Sequence, residues 1–258
     1  MVTMTRIILS GYMGQMGKVI CAMANKDPHC EIVGGIDIVG SVNGMCFPTY
    51  MNIGHCDRDA DVVIDFSVVE AIPDLLAFGI RRQIPLILCT TGFSAEMAAS
   101  IRETSDRVAV LQSANMSLGI NLLSNIVSKA AKLLSQAHFD IEIIEKHHNK
   151  KVDAPSGTAL LLADTINNAL DNRMDYIYDR SAERKTRKTN EIGIHTLRGG
   201  TIVGEHSVIF AGEGEVIEFT HQAQSKEVFA AGAISAAKFM KGKPPGFYTM
   251  NDVVEAVE

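Results

Sequence analysis

Thr5-Arg6-Ile7-Ile8-Leu9-Ser10-Gly11-Tyr12-Met13-Gly14-Gln15-Met16-Gly17 sets the architecture of this chain. An apolar run ends at a glycine, two more glycines follow at three-residue intervals, and residues 18–25 then place Val19, Ile20, Met23 and Ala24 at helical spacing. Residues 31–37 are a second apolar run, ending in Asp37. Strand, glycine turn, helix, strand is the unit from which parallel sheets are built. A glycine turn between strand and helix lets backbone N–H groups approach a pyrophosphate, and the helix dipole adds a favourable potential. Gly11-x-x-Gly14-x-x-Gly17 does this with a shifted first glycine, because Tyr12 stands where the stricter G-x-G-x-x-G form has glycine. The loop residues Gly11, Tyr12, Met13, Gly14, Gln15, Met16 and Gly17 are therefore candidate cofactor contacts. An ordinary strand-to-helix turn is the alternative.

Asp37 stands at the end of the second strand, where an acid accepts hydrogen bonds from the adenosine ribose hydroxyls. The residues after it, Ile38, Val39, Gly40 and Ser41, carry no positive charge to meet a 2′-phosphate. The expected cofactor is a nicotinamide dinucleotide, with NADH preferred to NADPH. Lys18 or a distant basic residue is the route by which NADPH could still bind.

The alternation continues outward from this unit. Residues 61–66, 85–89 and 108–111 read as strands, and residues 69–81 and 95–103 as helices, with Pro73 in a first turn where a missing N–H costs little. The strands are almost continuously apolar, as expected of parallel strands buried on both faces. Phe66, the run Thr90-Thr91-Gly92, and the run Ala114-Asn115-Met116 follow the third, fourth and fifth strands. Loops at the carboxyl ends of parallel strands form the ligand crevice of such sheets. These residues join the candidate cofactor contacts, with plain turn chemistry as the alternative.

Near residue 117 the texture changes. Residues 118–136 read as one long helix, 139–145 as an alternating strand, and 158–170 as a helix after a charged loop. Residues 172–190 are polar, and strand-like runs at 191–197, 201–210 and 215–221 are joined by glycines, which implies a mixed or antiparallel sheet. Residues 225–240 are helical again, and 251–257 form a last short helix.

Bulk composition narrows the possibilities. The chain has 258 residues, 47% of them hydrophobic, no Trp and a formal charge of -6. That balance argues against nucleic acid as the main partner while leaving room for a local basic pocket. The basic run from Arg180 to Lys188, with Glu183 inside it, reads as a solvated loop. Five scattered cysteines with no Cys-x-x-Cys pair read as free thiols in a reducing cytoplasm. No apolar run has the length of a membrane span.

The loop after the alternating strand concentrates the chemistry. His147 and His148 are followed by Lys150 and Lys151, then by Asp153-Ala-Pro-Ser-Gly-Thr158 at the start of a helix. Ser156 or Thr158 can cap that helix and Pro155 stiffens its entry, so the N–H groups of Gly157 and Thr158 are candidate anion donors. Lys151 adds a full positive charge, and the set suits a substrate with two carboxylates. A metal is a weak rival, because lysines repel a cation and no cysteine or carboxylate cluster has ligand spacing. His195, His206 and His221 read as satisfied sheet histidines, His221 being the one that could reach a pocket.

Glu145-x-His147-His148-x-x-Lys151-x-Asp153-Ala-Pro-Ser-Gly-Thr-Ala159 resembles the signature of the dihydrodipicolinate reductase family, and the similarity extends to Gly11–Gly17, Asp37, Thr90-Thr91-Gly92, Ser113–Ser117 and the segment around Phe229–Gly232. The resemblance implies an α/β protein. A Rossmann-like parallel-sheet domain of residues 1–117 would be completed by 227–258. An α+β domain of 118–226 with a mixed or antiparallel sheet would bind substrate and build a homotetramer. It implies reduction of 4-hydroxy-tetrahydrodipicolinate to tetrahydrodipicolinate in the cytoplasmic diaminopimelate route to lysine, with NADH or NADPH. By position, His147 and Lys151 would be catalytic, either one donating the proton, and His148, Ser156, Gly157 and Thr158 would bind substrate carboxylate. Two departures stand out: Tyr12-Met13 where many members have small residues, and Lys226 where arginine is frequent, which keeps the charge but loses a bidentate grip. An aspartate dehydrogenase-like enzyme and a non-catalytic dinucleotide sensor are the competing readings.

Overall fold

A computed structural model of the chain describes residues 4–39, 44–181 and 184–256. Gly40, Ser41, Glu183 and Val257, each used in the reading above, lie outside the described residues. In chain order the elements are β1 (Thr5–Ser10), α1 (Gln15–Ala24), β2 (Cys30–Ile36), β3 (Thr49–Tyr50), β4 (Val62–Asp65), α2 (Ile72–Arg82), β5 (Leu86–Leu88), α3 (Ala95–Ser105), β6 (Ala109–Gln112), α4 (Leu118–Leu134), β7 (Asp140–His147), α5 (Gly157–Ala169), β8 (Asp175–Ile177), β9 (Glu191–Arg198), β10 (Gly204–Ala211), β11 (Val216–Ala223), α6 (Glu227–Met240), β12 (Gly246–Tyr248) and α7 (Met250–Glu255). They fall into two compact units, Met1–Leu118 with Lys226–Glu258, and Gly119–Ser225.

The first unit is built on a sheet of order β12-β6-β5-β4-β1-β2-β3, every pair of which is parallel. The chain winds outward from β1 through β2 to β3, then returns to β4 on the other side of β1. That reversal is the switch point at which such sheets open a crevice at the carboxyl ends of their strands. Alternate residues feed two cores. Ile7, Leu9, Ile64, Ile87 and Leu111 pack with Ile20 of α1 and Ala233 and Ala237 of α6. Ile8, Val63, Leu86, Leu88 and Val110 pack with Leu75 and Phe78 of α2 and Ile101 of α3. Each such fully buried aliphatic side chain contributes about 1.5–3 kcal/mol, which explains why both faces of these strands are apolar.

Three local features differ from the periodicity reading. The helix expected from residue 69 begins as a single 3-10 turn, Val69–Ala71, and becomes α-helical at Ile72 with Pro73 in its first turn. Helix α1 starts at Gln15, so Gly17 lies inside it. The two-residue β3 and three-residue β8 and β12 exist only by pairing with β2, β9 and β6.

The second unit carries a mixed sheet of order β11-β10-β7-β9-β8. β10 is antiparallel to β7 and β11, while β9 is parallel to β7 and β8. Strand β7 alternates strictly, with Ile141, Ile143, Glu145 and His147 buried. Ile141 and Ile143 pack with Ile120, Val127, Leu162 and Ile166 of α4 and α5, with Ile192 and Ile194 of β9, and with Val208 and Phe210 of β10. The period of two therefore carries Glu145 and His147 onto the same face, past the end of the apolar core. Arg180 and Arg187 correct the reading of their segment as a solvated loop. Arg187 pairs with Asp140 and Glu142, and Arg180 with Glu142 and Glu191, which fastens the segment to the sheet.

Candidate active site

In the first unit the glycine turn is a close-packed cradle. Gly11 has φ +78°, and a Cβ there would lie 2.5 Å from the Phe66 carbonyl oxygen. A Cβ on Gly17 would lie 2.2 Å from the Gly11 carbonyl oxygen and 2.5 Å from Tyr12 Cα. Only glycine lets the turn fold this tightly against the start of α1. Gly14 takes the N-cap position of α1 and leaves its side free of a capping side chain, so Gln15 and Met16 open a helix start available to an anion. Asp37 follows β2 and steadies the turn: its carboxylate accepts the Met13 N–H at 3.1 Å and the Val39 N–H at 3.1 Å. The Tyr12 ring, taken from sequence as a cofactor contact, is 1% exposed and packs edge-on against Phe47 at 5.9 Å. Its backbone alone is left to serve the loop.

The crevice has two adjoining lobes. One cavity of about 430 Å³ is bordered by Gly11, Gly14, Asp37, Phe66, Glu70 and Asp74 among others. A second of about 370 Å³ is bordered by Phe66, Ser67, Thr90 and Thr91. Thr91, Gly92 and Ala114 are exposed beside the ends of β5 and β6, whereas Asn115 and Met116 are buried. The Asn115 side chain accepts the Ser117 N–H at 2.9 Å, and the Met116 backbone lies against Gly232 of α6. Lys226 donates to the Gln15 side chain, joining the starts of α6 and α1. The glycine cradle and the acid at the tip of β2 fit a dinucleotide.

In the second unit the chemistry centres on Glu145, which is fully buried. Sheet register places Thr196 and His206 beside it, and Arg198 beside His147. Five donors converge on its two oxygens. Arg198 approaches both at 2.8 Å, His147 Nδ1 at 2.6 Å, the Ser156 N–H at 3.0 Å and the Thr196 hydroxyl at 3.1 Å. Burial pushes the carboxyl upward, but the Arg198 and His147 hydrogen bonds prevail and hold it at about 2. Glu145 is therefore ionised throughout the neutral range, and His147 donates its Nδ1 proton to it.

His147 is itself held below its ordinary value. Burial is the main cause, and the Lys151 and Arg198 charges add to it, against the pull of Glu145. At neutral pH its Nε2 thus carries a lone pair that accepts a proton when charge develops nearby. Edge-on to it, ring centroids 5.1 Å apart, stands His206. Burial first, and then the His147 charge, drive His206 down to about 3. Ser156 Oγ accepts the Ala159 N–H at 3.2 Å, capping α5, and lies 3.0 Å from His206 Nε2. The direction of that bond follows the His206 tautomer, and the His206 Nδ1 is buried without a partner among the described residues.

The loop between β7 and α5 is fastened from below. Arg198 donates to the Asp153 carbonyl at 2.6 Å, and the Gly199 N–H donates to the His147 carbonyl at 2.9 Å. Lys151 pairs with the Asp153 carboxylate at 2.8 Å, and the Gly157 N–H also donates to that carboxylate. His148 is half-buried, with its Nδ1 buried and unpartnered among the described residues. Thr158 lies in the first turn of α5. His147, His148, Lys151, Ser156, Gly157 and Thr158 are thus gathered at one end of this sheet. Sequence reasoning passed over Thr196 and Arg198, read His206 as a satisfied sheet histidine and gave Glu145 no role. His195 lies on the opposite sheet face, 2.7 Å from Glu142. Among the described residues no group of three or more His, Cys, Asp or Glu side chains is placed to hold a metal ion, and no helix is long and apolar enough to cross a membrane.

The class these features define is that of the nicotinamide-dependent α/β oxidoreductases, with a cationic, imidazole-bearing cluster in a second unit. Residues 5–116 match the family described as dihydrodipicolinate reductase, N-terminus, and residues 119–254 match dihydrodipicolinate reductase, C-terminus. The chain is 51% identical over 252 residues to 4-hydroxy-tetrahydrodipicolinate reductase of Caldanaerobacter subterraneus subsp. tengcongensis, covering 98% of this chain and 99% of the relative. It is 50% identical to the enzyme of the same name from Clostridium novyi, covering 98% and 99%. A structure of dipicolinate-bound dihydrodipicolinate reductase from Paenisporosarcina sp. TG-14 shares the fold, with a TM-score of 0.78 at 21% identity over 96% of this chain and 98% of that one. The chain belongs to the dihydrodipicolinate reductase family.

Proposed function

We propose that this chain reduces 4-hydroxy-tetrahydrodipicolinate to tetrahydrodipicolinate with loss of water, on the diaminopimelate route to lysine, and that it prefers NADH to NADPH. The names of its 50–51% identical relatives support the reaction. The observation that carries it is the His147–Glu145 pair, 2.6 Å apart and buried beside the capped start of α5.

The glycine cradle admits the pyrophosphate, and Asp37 takes the ribose hydroxyls. The first cavity is bordered by Asp37, Glu70 and Asp74 and, among the described residues, by no lysine or arginine, which disfavours a 2′-phosphate. When bound, the reduced nicotinamide supplies a hydride. Lys151, His148 and the first turn of α5 from Ser156 through Gly157 and Thr158 hold the substrate carboxylates. Ser156 acts there by fixing the turn, since its hydroxyl is committed to His206. Loss of the 4-hydroxyl as water leaves a conjugated imine, and hydride addition to it leaves electron density on the side of the ring nitrogen. The Lys151 cation stabilises that charge, and the proton comes from Lys151 or from His147 once its Nε2 has taken one up, the ionised Glu145 supporting the imidazolium so formed. The exposed apolar side chains Leu197 of β9 and Val216 of β11, 46% and 64% exposed, support a homotetramer, which sedimentation analysis tests.

The deciding experiment is a coupled assay. Pyruvate and aspartate semialdehyde are fed through the dehydratase, and dinucleotide oxidation is followed with each cofactor. Oxidation that depends on the dehydratase product is expected. No oxidation with either dinucleotide overturns the reaction; equal or greater efficiency with NADPH overturns the cofactor preference alone.

A further inference from the structure

We propose that Asp65 is a positioning residue for the dinucleotide: its carboxylate, gripped by neutral groups from three strand ends, favours the oxidised, positively charged nicotinamide over the reduced one. Asp65 is the last residue of β4 and is fully buried. One oxygen accepts the Ser67 hydroxyl at 2.5 Å and the Ser67 N–H at 3.2 Å. The other accepts the Thr90 hydroxyl at 2.8 Å. The hydroxyl of Ser10, its neighbour across the sheet at the end of β1, also donates to it. One side chain thus ties the residue before Gly11, the loop after β4 and the loop after β5.

All of these donors are neutral. Among the described residues no hydrogen-bonded cation cancels the charge, in contrast to Glu145, which Arg198 neutralises. Burial pushes the Asp65 carboxyl upward despite the hydroxyls, and burial, with the Asp65 charge adding to it, pushes up the neighbouring Cys89 thiol. A carboxylate kept there is an electrostatic expense that an arriving positive charge offsets.

The crevice supplies such a charge. With the pyrophosphate on the glycine cradle and the adenosine ribose at Asp37, the other half of a dinucleotide extends over the ends of β4, β5 and β6. Ser67 and Thr90, two hydroxyl partners of Asp65, border the lobe on that side. A hydride leaves with its electron pair, and the ring that was neutral becomes singly positive. A fixed negative charge beneath that lobe stabilises the charge as it forms and needs no reorganisation to do so.

The inference rests on the dinucleotide reading of the crevice, and the test separates the two. Dissociation constants for NADH and NAD+ are measured by calorimetry for the unaltered chain, Asp65→Asn, Asp65→Ser and Ser67→Ala, with circular dichroism to verify folding. Asparagine keeps the shape of the side chain; serine offers the neighbouring hydroxyls a smaller neutral partner. In both, the ratio of the NAD+ constant to the NADH constant should rise about tenfold, equivalent to about 1.4 kcal/mol. Ser67→Ala keeps the charge and should weaken both forms alike. An unmoved ratio in a folded neutral variant overturns the inference and leaves the cofactor reading standing. Failure of the unaltered chain to bind either dinucleotide overturns both.

Discussion

Replacing Glu145 by glutamine preserves the outline of the side chain and removes its charge. Five donors converge on the carboxylate, two of them from Arg198 and one from His147. An amide offers one acceptor oxygen and turns a donor toward the rest, so at least one charged donor loses its partner in a buried place. Removing one partner of a buried pair costs about 3–5 kcal/mol. Linkage gives a second figure. A carboxyl held at about 2 rather than its ordinary 4.5 corresponds to about 3 kcal/mol of stability at neutral pH. Because the folded value is depressed, that contribution is complete above pH 4.5 and lost as pH falls toward 2. Urea unfolding of both proteins at pH 7 should show Glu145→Gln less stable by about 3 kcal/mol. The gap should narrow below pH 4.5 by about 1.4 kcal/mol per unit. A gap below about 1 kcal/mol at pH 7, or one that does not narrow in acid, refutes the assignment of Glu145 as an ionised anchor.

Three further outcomes follow from the same geometry. His206 is held at about 3, so it stays neutral in the fold while the unfolded chain takes up its proton below pH 6.5. Stability should fall by about 1.4 kcal/mol per unit as pH drops below 6.5, and His206→Asn should flatten that slope in urea titrations between pH 6.5 and 5. Gly17→Ala drives a methyl group to 2.2 Å from the Gly11 carbonyl oxygen; a loss of about 1–3 kcal/mol and weakened NADH binding are expected by thermal melts and calorimetry. Lys151→Ala should damage turnover and substrate affinity together, while His147→Gln should lower turnover more than NADH affinity; near-unaltered steady-state kinetics in both would remove the proposed site.

The parallel sheet was legible because burial on two faces demands continuous apolar runs, as in residues 62–65 and 86–88. Strands β3 and β12 were not, since two or three residues have no period and owe their conformation to neighbours far away in the chain. Gly17 misled the placement of α1, because its low helix propensity hides the packing reason for its presence. In the second unit, alternation alone puts Glu145 and His147 on one face. It does not say which residues of β9 and β10 lie opposite them. Thr196, Arg198 and His206 enter the cluster through strand register, a tertiary property. His195 shows the limit from the other side: one position away from Thr196, it belongs to the opposite face.

The Lys151–Asp153 pair bears on ligand choice. The ammonium and the Gly157 N–H, both assigned to an incoming carboxylate, already engage one supplied by the chain. Under the proposed function, binding there would be an exchange, in which the newcomer displaces a tethered competitor of like chemistry. A monoacid gains little from such a swap, because one anion merely replaces another. A ligand with a second anionic arm would gain what the tether cannot match, so under the proposed function the loop would sort diacids from single carboxylates.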